Sequence, residues 1–110
     1  MNGADFEYSI ESSVTAGNCT NPCIDFCLSG DYTMMVCYKI CSFNCAAENI
    51  PTFDQQNSSF ELILIGICTD GCQPDCEISN EFDGCSRNCS SNCASSVVFF
   101  LAVINNGDLS

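Results

Sequence analysis

The chain has 110 residues, of which 12 are cysteine, and 14 acidic against two basic residues give it a net charge of −12. A chain of this length folds as one small domain or as two half-size units that share a core. The negative charge argues against nucleic acid and anionic membranes as partners. The cysteine density is typical of secreted proteins braced by disulfide bonds.

The first predicted element is a strand over residues 6–14. Apolar and polar side chains alternate there, as Phe6, Tyr8 and Ile10 against Glu7, Ser9 and Glu11. Strict alternation places one kind of side chain on each face of a strand. The pattern therefore predicts a half-buried strand with one face in water.

All 12 cysteines fall in four CxxxCxxxC triplets, which form two copies of one pattern. The triplets are Cys19, Cys23, Cys27; Cys37, Cys41, Cys45; Cys68, Cys72, Cys76; and Cys85, Cys89, Cys93. The second copy lies 49 positions after the first for the leading triplet and 48 for the following one. We interpret this as an internal duplication, with one repeat over residues 1–52 and another over 53–110, which together form one compact unit.

A spacing of four places the three sulfurs of a triplet in a column on one helix face. Two such helices joined by a short loop can pair antiparallel, outer cysteine with outer and inner with inner. The predicted bonds are Cys19–Cys45, Cys23–Cys41, Cys27–Cys37, Cys68–Cys93, Cys72–Cys89 and Cys76–Cys85. Disulfides draw Cα atoms closer than helices usually pack. Small residues on the second helix of each hairpin are expected to ease that approach: Ser42, Ala46, Ala47, Ser90, Ser91, Ala94 and Ser95.

Two prolines limit the predicted helices. Pro22 and Pro74 stand inside the leading triplets, and proline is tolerated only in a first helical turn. The first helix of each hairpin is therefore predicted to begin near Asn21 and Gln73. The second helix of the first hairpin, over residues 32–47, is apolar nearly all round and is predicted to be buried beyond its cysteine face.

Two further segments are predicted as strands after a polar linker at residues 49–59. Residues 60–67 and 97–104 are apolar on both faces and rich in β-branched and aromatic side chains. The predicted fold is therefore α+β, with two disulfide-laddered helical hairpins packed on a small sheet. Because the hairpins cannot cover both faces of that sheet, self-assembly is expected through Phe60, Leu62, Leu64, Val97, Phe99, Leu101 and Val103.

The paired CxxxC columns resemble the α-hairpinin scaffold of small secreted peptides, here lengthened by one rung and duplicated. The resemblance covers residues 19–45 and 68–93. It implies a helical hairpin held by disulfides, and members of that family include trypsin inhibitors and antimicrobial peptides. The inhibitors need a basic residue in the loop, but residues 28–36 and 77–84 contain no Lys or Arg, and the antimicrobial peptides are typically cationic.

Three glycosylation sequons, at Asn18, Asn57 and Asn88, agree with a secreted, extracellular glycoprotein. N-linked glycans are therefore expected partners. Residues 2–5 are polar, and no signal peptide follows Met1. Secretion then implies that residue 1 is a processed or arbitrary start.

Metal binding is the alternative to disulfide formation for these cysteines. Inward-facing CxxxC columns could hold Cu(I) on thiolates, but the sequons and the absence of histidine favour disulfides. Calcium is the remaining candidate cofactor, because five acids crowd around the second hairpin loop: Asp70, Asp75, Glu77, Glu81 and Asp83. They do not form an EF-hand pattern, so no metal is assigned.

The sequence favours a structural subunit of an extracellular filament, coat or wall, which would polymerise with copies of itself through the apolar strands. The alternative is a secreted disulfide-rich binding or effector module of the toxin or inhibitor type. Catalysis is not expected, because histidine is absent and no nucleophile motif is present.

Overall fold

The described part of the chain is all-α. The computed structural model describes the backbone of residues 3–49 and 58–105, and the side chains of residues 10–49 and 63–101. These ranges contain four helices: α1 (Gly3–Leu28), α2 (Met34–Glu48), α3 (Ser58–Glu77) and α4 (Phe82–Asn105). No strand occurs in them, so the α+β prediction is wrong. None of the helices in the described ranges is long and apolar enough to cross a bilayer.

Helix α2 is the helix that the sequence predicts best. It begins after Thr33, whose side chain accepts a hydrogen bond from the backbone N–H of Val36 and caps the helix. Its cysteines and Tyr38 are buried, as predicted, but Val36 and Ile40 are exposed. Burial thus extends beyond the cysteine face without covering the whole helix.

The strand predicted over residues 6–14 is instead part of α1. The side of α1 that faces the core carries mainly small residues: Ser12, Ser13, Ala16, Thr20 and, one turn further, Ile24. The larger apolar residues Ile10 and Val14 are exposed. Of the apolar residues in the alternation, Ile10 has a described side chain, and the described part of this helix packs through serine, alanine and threonine instead.

The two segments predicted as strands over 60–67 and 97–104 lie in α3 and α4. Ala94, Val97, Val98 and Leu101 are buried at the three- and four-residue spacing of a helix face. A short run that is apolar on all sides suits a strand or a buried helix equally well. Here each run continues a cysteine-bearing helix without a break, so it takes the helical conformation of its neighbour.

Neither proline begins its helix, which corrects the predicted starts near Asn21 and Gln73. Pro22 lies inside α1 and Pro74 inside α3. A proline in a helix interior costs about 3 kcal/mol. Each is bracketed by two disulfides, Cys19–Cys45 and Cys23–Cys41 around Pro22, for example. Since a disulfide typically contributes about 2–4 kcal/mol, two of them can hold the helix together across the proline.

The two hairpins, α1–α2 and α3–α4, pack against each other through small side chains. Ser42 donates a hydrogen bond of 2.8 Å to the carbonyl of Ser90, and Ser90 donates one of 2.8 Å to the carbonyl of Tyr38. On α1, the carbonyl of Gly17 accepts a 3.0 Å bond from Ser91. The small residues that were expected to ease the disulfides thus serve the contact between hairpins. Their hydroxyl groups are buried at low cost because backbone carbonyls accept their protons.

Two of the contacts between the hairpins involve positions that are equivalent in the two copies. Ser42 and Ser90 are equivalent positions, 48 apart, and they touch each other. Lys39 forms an ion pair of 2.8 Å with Asp70, and its equivalent Arg87 approaches Asn21, the equivalent of Asp70. Such reciprocity is the mark of an isologous, two-fold contact. The duplicated chain therefore resembles a dimer of hairpins joined into one molecule.

The main core lies between the hairpins and receives residues from all four helices. Ala16, Ala46, Ile65, Ala94 and Val98 form one buried cluster there. A second cluster, formed by Ile24, Tyr38 and Cys41, lies inside the first hairpin nearer to its loop. The shared cluster fixes the two hairpins relative to each other and so determines which surfaces lie side by side.

Candidate functional site

Six disulfide bonds form two ladders, with three successive bonds in each hairpin. They join the same pairs that the spacing predicts, from Cys19–Cys45 to Cys76–Cys85, and no cysteine is free. The bridged Cα atoms are 5.3–5.8 Å apart. Two disulfide-laddered helical hairpins are therefore the scaffold of this protein, and so many disulfides fit an oxidising environment.

Three sulfurs of the second ladder lie close enough together to resemble a metal site. Those of Cys72, Cys89 and Cys93 are within 4.8 Å of one another. All three belong to disulfide bonds, however, and a metal requires thiolates. The three sulfurs are close because successive disulfide bonds stack along the hairpin, and their proximity does not indicate a copper or zinc site.

Arg87 brings the loops of the two hairpins to the same end of the bundle. Its guanidinium donates to Asp83, one turn earlier on α4, at 2.9 Å, and to Asp25 near the end of α1 at 2.6 Å. Asp25 precedes the loop at residues 29–33, and Asp83 follows the loop at 78–81. We call the surface formed by these two loops and the adjoining helix turns the loop end.

Tyr38 is attached to the same network from the core side. Its side chain is buried, and its hydroxyl donates a hydrogen bond of 2.9 Å to Asp83. Burial of the phenol, together with the hydrogen bond to the Asp83 carboxylate, raises the pKa of Tyr38 to about 12. Partial burial alone would raise the pKa of Asp83, but the hydrogen bonds from Tyr38 and Arg87 outweigh it and lower that pKa.

Each disulfide ladder lies at the floor of an open groove, and the two grooves differ in chemistry. The groove over the first ladder has a volume of about 300 Å³ and is lined by Phe26, Tyr32 and Ile40 beside the sulfurs. We call it the apolar groove. The groove over the second ladder, about 490 Å³, has Asp75 and Asn88 at the positions equivalent to Phe26 and Ile40. The duplicated faces have therefore diverged, one toward apolar contact and the other toward polar contact.

The loop end carries the two most exposed of the described large apolar side chains. Ile78 is 87% exposed and Phe26 is 83% exposed; Tyr32, also in this region, is exposed too. Phe26 adjoins the innermost disulfide of its ladder, and Ile78 follows the innermost disulfide of the other by two residues. The apolar patterns of the sequence did not indicate this site. The available signal was that both residues lie beside an inner cysteine but off the buried cysteine column.

No family model, curated protein or solved structure matches this chain. Its surfaces and its chemistry are therefore the basis for assigning a function.

The five acids considered for calcium do not converge on one site. Asp70 pairs with Lys39, and Asp83 pairs with Arg87. Asp75 lines the groove over the second ladder, while Glu77 and Glu81 are exposed near the loop. Among the described residues, the group of potential ligand atoms that comes together is the oxidised cysteine trio, not these carboxylates.

The other predicted positions are distributed between surface and core. Asn18 and Asn88 are exposed, while Asn57 lies outside the described residues. Of the proposed assembly residues, Val97 and Leu101 are buried and Leu64 and Phe99 are partly buried. The side chains of Phe60, Leu62 and Val103 are outside the described part. The described members of this set mainly serve the core between the hairpins, so they do not form the exposed strand surface that was expected.

Proposed function

We propose that this chain is a secreted, disulfide-braced recognition module whose loop end contacts another protein. The proposal rests on the exposure of Phe26 and Ile78. Exposed large apolar side chains that are gathered at one end of a molecule indicate a surface that contacts another protein. Phe26 and Ile78 each lie within two positions of a bridged cysteine, so little conformational entropy of the backbone would be lost when they are buried in an interface.

Secretion is supported by the chemistry of the scaffold. Six disulfides persist in oxidising compartments, and the sequon residues Asn18 and Asn88 are open to a glycan. The scaffold would then be a lengthened and duplicated form of the α-hairpinin type. The inhibitor and antimicrobial activities of that family are not proposed here, because the loops lack basic residues and the charge is −12.

Site-specific photo-crosslinking tests the proposal. Benzoylphenylalanine would replace Phe26 or Ile78, and the labelled protein would be irradiated in the extracellular fluid of its source. Val14 is the matched control, because it is also exposed but lies about 18 Å along α1 from Phe26. We expect a discrete adduct from the loop-end positions and none from Val14. If the three positions give the same products, or none, the proposal is wrong.

A subunit of an extracellular assembly is the second candidate, now through helices. Ile63 and Ile67 lie one turn apart on α3 and are 58% and 66% exposed, and Phe100 on α4 is exposed as well. Such a stripe could pack against a second copy. Light scattering of the parent and of Ile63→Asp/Ile67→Asp tests this. Assembly of the parent that is lost in the variant would support the second candidate, whereas a strictly monomeric parent at high concentration removes it.

A further inference from the structure

The loop end carries a strong excess of negative charge. Six carboxylates lie in the two loops and the adjoining turns: Asp25, Asp31, Asp75, Glu77, Glu81 and Asp83. The sequence has two basic residues and no histidine, and both basic residues are described. Arg87 is bound to Asp25 and Asp83, and Lys39 is bound to Asp70. The other loop-end acids therefore have no cationic side chain left within their own chain to neutralise them.

The apolar groove opens onto this acidic surface. Phe26 and Tyr32 belong both to the groove and to the loop end, and Ile40 continues the groove along α2. A volume of about 300 Å³ accommodates one or two side chains. A partner that fits both features must offer an apolar side chain for the groove and positive charge for the acids around it.

The negative charge also argues against other partners at the apolar groove. A second copy would present the same acids, and its basic side chains are already paired within its own chain. Nucleic acids and anionic lipid surfaces would be repelled by the same field. A protein segment that is rich in lysine and arginine and carries an apolar side chain offers both the positive charge and the apolar contact.

We infer that the loop end binds a basic segment of another protein, which inserts an apolar side chain into the apolar groove and places its cations over the loop-end acids. This inference rests on the proposed function and adds the chemistry of the partner. Association should be fast at low ionic strength and should weaken with added salt, because the attraction acts between exposed charges.

Fluorescence anisotropy with a labelled twelve-residue lysine–leucine peptide tests the inference, with the glutamate–leucine peptide as the probe control. Two double variants remove equal charge. Asp31→Asn/Glu81→Gln acts at the loop end, and Glu11→Gln/Glu48→Gln acts at exposed acids elsewhere. Phe26→Ser removes an exposed apolar side chain at the loop end, and Val14→Ser removes one elsewhere. Circular dichroism checks that each variant is folded.

We expect the loop-end variants to weaken binding of the basic peptide roughly tenfold, a change of about 1.4 kcal/mol, and the controls to change it less than about twofold. Equal weakening by both double variants would show attraction to net charge alone and would overturn the inference. So would binding of the glutamate peptide, or no binding of the lysine peptide.

The crosslinking experiment separates this inference from the function on which it rests. A partner that is captured from Phe26 but is acidic, or that remains bound in about 1 M salt, leaves the recognition function standing and overturns the basic-segment inference. An adduct with twice the mass of the chain would identify a second copy as the occupant and would also overturn it. A specific adduct with a basic protein, lost in Asp31→Asn/Glu81→Gln, supports both.

Discussion

Tyr38 of α2 and Asp83 of α4 share a hydrogen bond of 2.9 Å across 45 positions of the sequence. It joins the first hairpin to the second at the loop end, where Arg87 holds the same carboxylate. The phenol is buried, whereas Asp83 is exposed on its outer side. The pair therefore connects the core of one hairpin to the surface of the other.

Replacement of Tyr38 by phenylalanine should lower the free energy of unfolding by about 1–2 kcal/mol, since the hydrogen bond is to a charged acceptor but that acceptor keeps Arg87. Tyr32→Phe is the control, because Tyr32 is exposed. Urea unfolding of the oxidised proteins measures both. Equal stability of Tyr38→Phe and the parent would show that the hydrogen bond contributes nothing.

Stability should depend on alkaline pH through Tyr38. Burial and the Asp83 carboxylate raise its pKa to about 12, whereas tyrosine in an unfolded chain titrates near 10. The folded protein thus keeps this proton to higher pH than the unfolded chain does. The resulting stability is complete below about pH 10 and is lost as the pH rises toward 12.

The comparison with Tyr38→Phe isolates that contribution, because the other tyrosines are common to both proteins. The stability difference between parent and variant should narrow between about pH 10 and 12. Urea unfolding curves measured in parallel at several pH values report the difference. A difference that stays constant over this window would contradict the assignment.

Arg87 should matter more to stability than Lys39, although the two occupy equivalent positions in the duplication. The Arg87 side chain is 20% exposed and binds two carboxylates on different hairpins, whereas that of Lys39 is 47% exposed and binds one. We expect Arg87→Met to cost about 1–2 kcal/mol and Lys39→Met less than about 1 kcal/mol. Thermal unfolding of the two variants is the measurement, and a larger loss from Lys39→Met would refute the ranking.

Two helical glycines should respond in opposite directions to alanine. Gly71 has no atom within 4 Å of the place where a Cβ would be, so Gly71→Ala should stabilise α3 by about 0.5–1 kcal/mol. At Gly17 the new Cβ would be 3.1 Å from the Ser91 hydroxyl, which also donates to the Gly17 carbonyl. Gly17→Ala should therefore destabilise the contact between α1 and α4.

A second substitution distinguishes a local clash from a general effect at Gly17. In Gly17→Ala/Ser91→Ala the crowded hydroxyl is absent, so part of the loss should be recovered. Chemical denaturation of the single and double variants gives the coupling between the two sites. Additive effects would mean that the close approach of Ser91 does not limit the size of residue 17.

The cysteine spacing was enough to predict the covalent framework. The four-residue period and the duplication leave one antiparallel pairing in each hairpin, and the six bonds follow it. Helix α2 was also predicted, because its three cysteines recur at the four-residue spacing of one helix face. These features depend on local geometry, which the sequence encodes directly.

The rest of the fold depended on contacts that apolar patterns do not reveal. The face of α1 that carries Ser13, Ala16 and Thr20 is buried against the second hairpin. Its hydroxyl groups are satisfied by distant carbonyls, such as that of Ser95 for Ser13. The continuation of α1 through Pro22 likewise requires the disulfides on either side. The loop end was missed because its apolar residues lie outside the periodic core.

The positions of the disulfides also determine what a protease can do to this molecule. A cut in residues 29–33 would divide the first hairpin into two pieces that three covalent bonds still join, and a cut in 78–81 would leave the second hairpin in the same condition. The nicked protein would migrate as the intact one until a reductant was added. A break in either of these loops would therefore leave the pieces of the hairpin covalently joined.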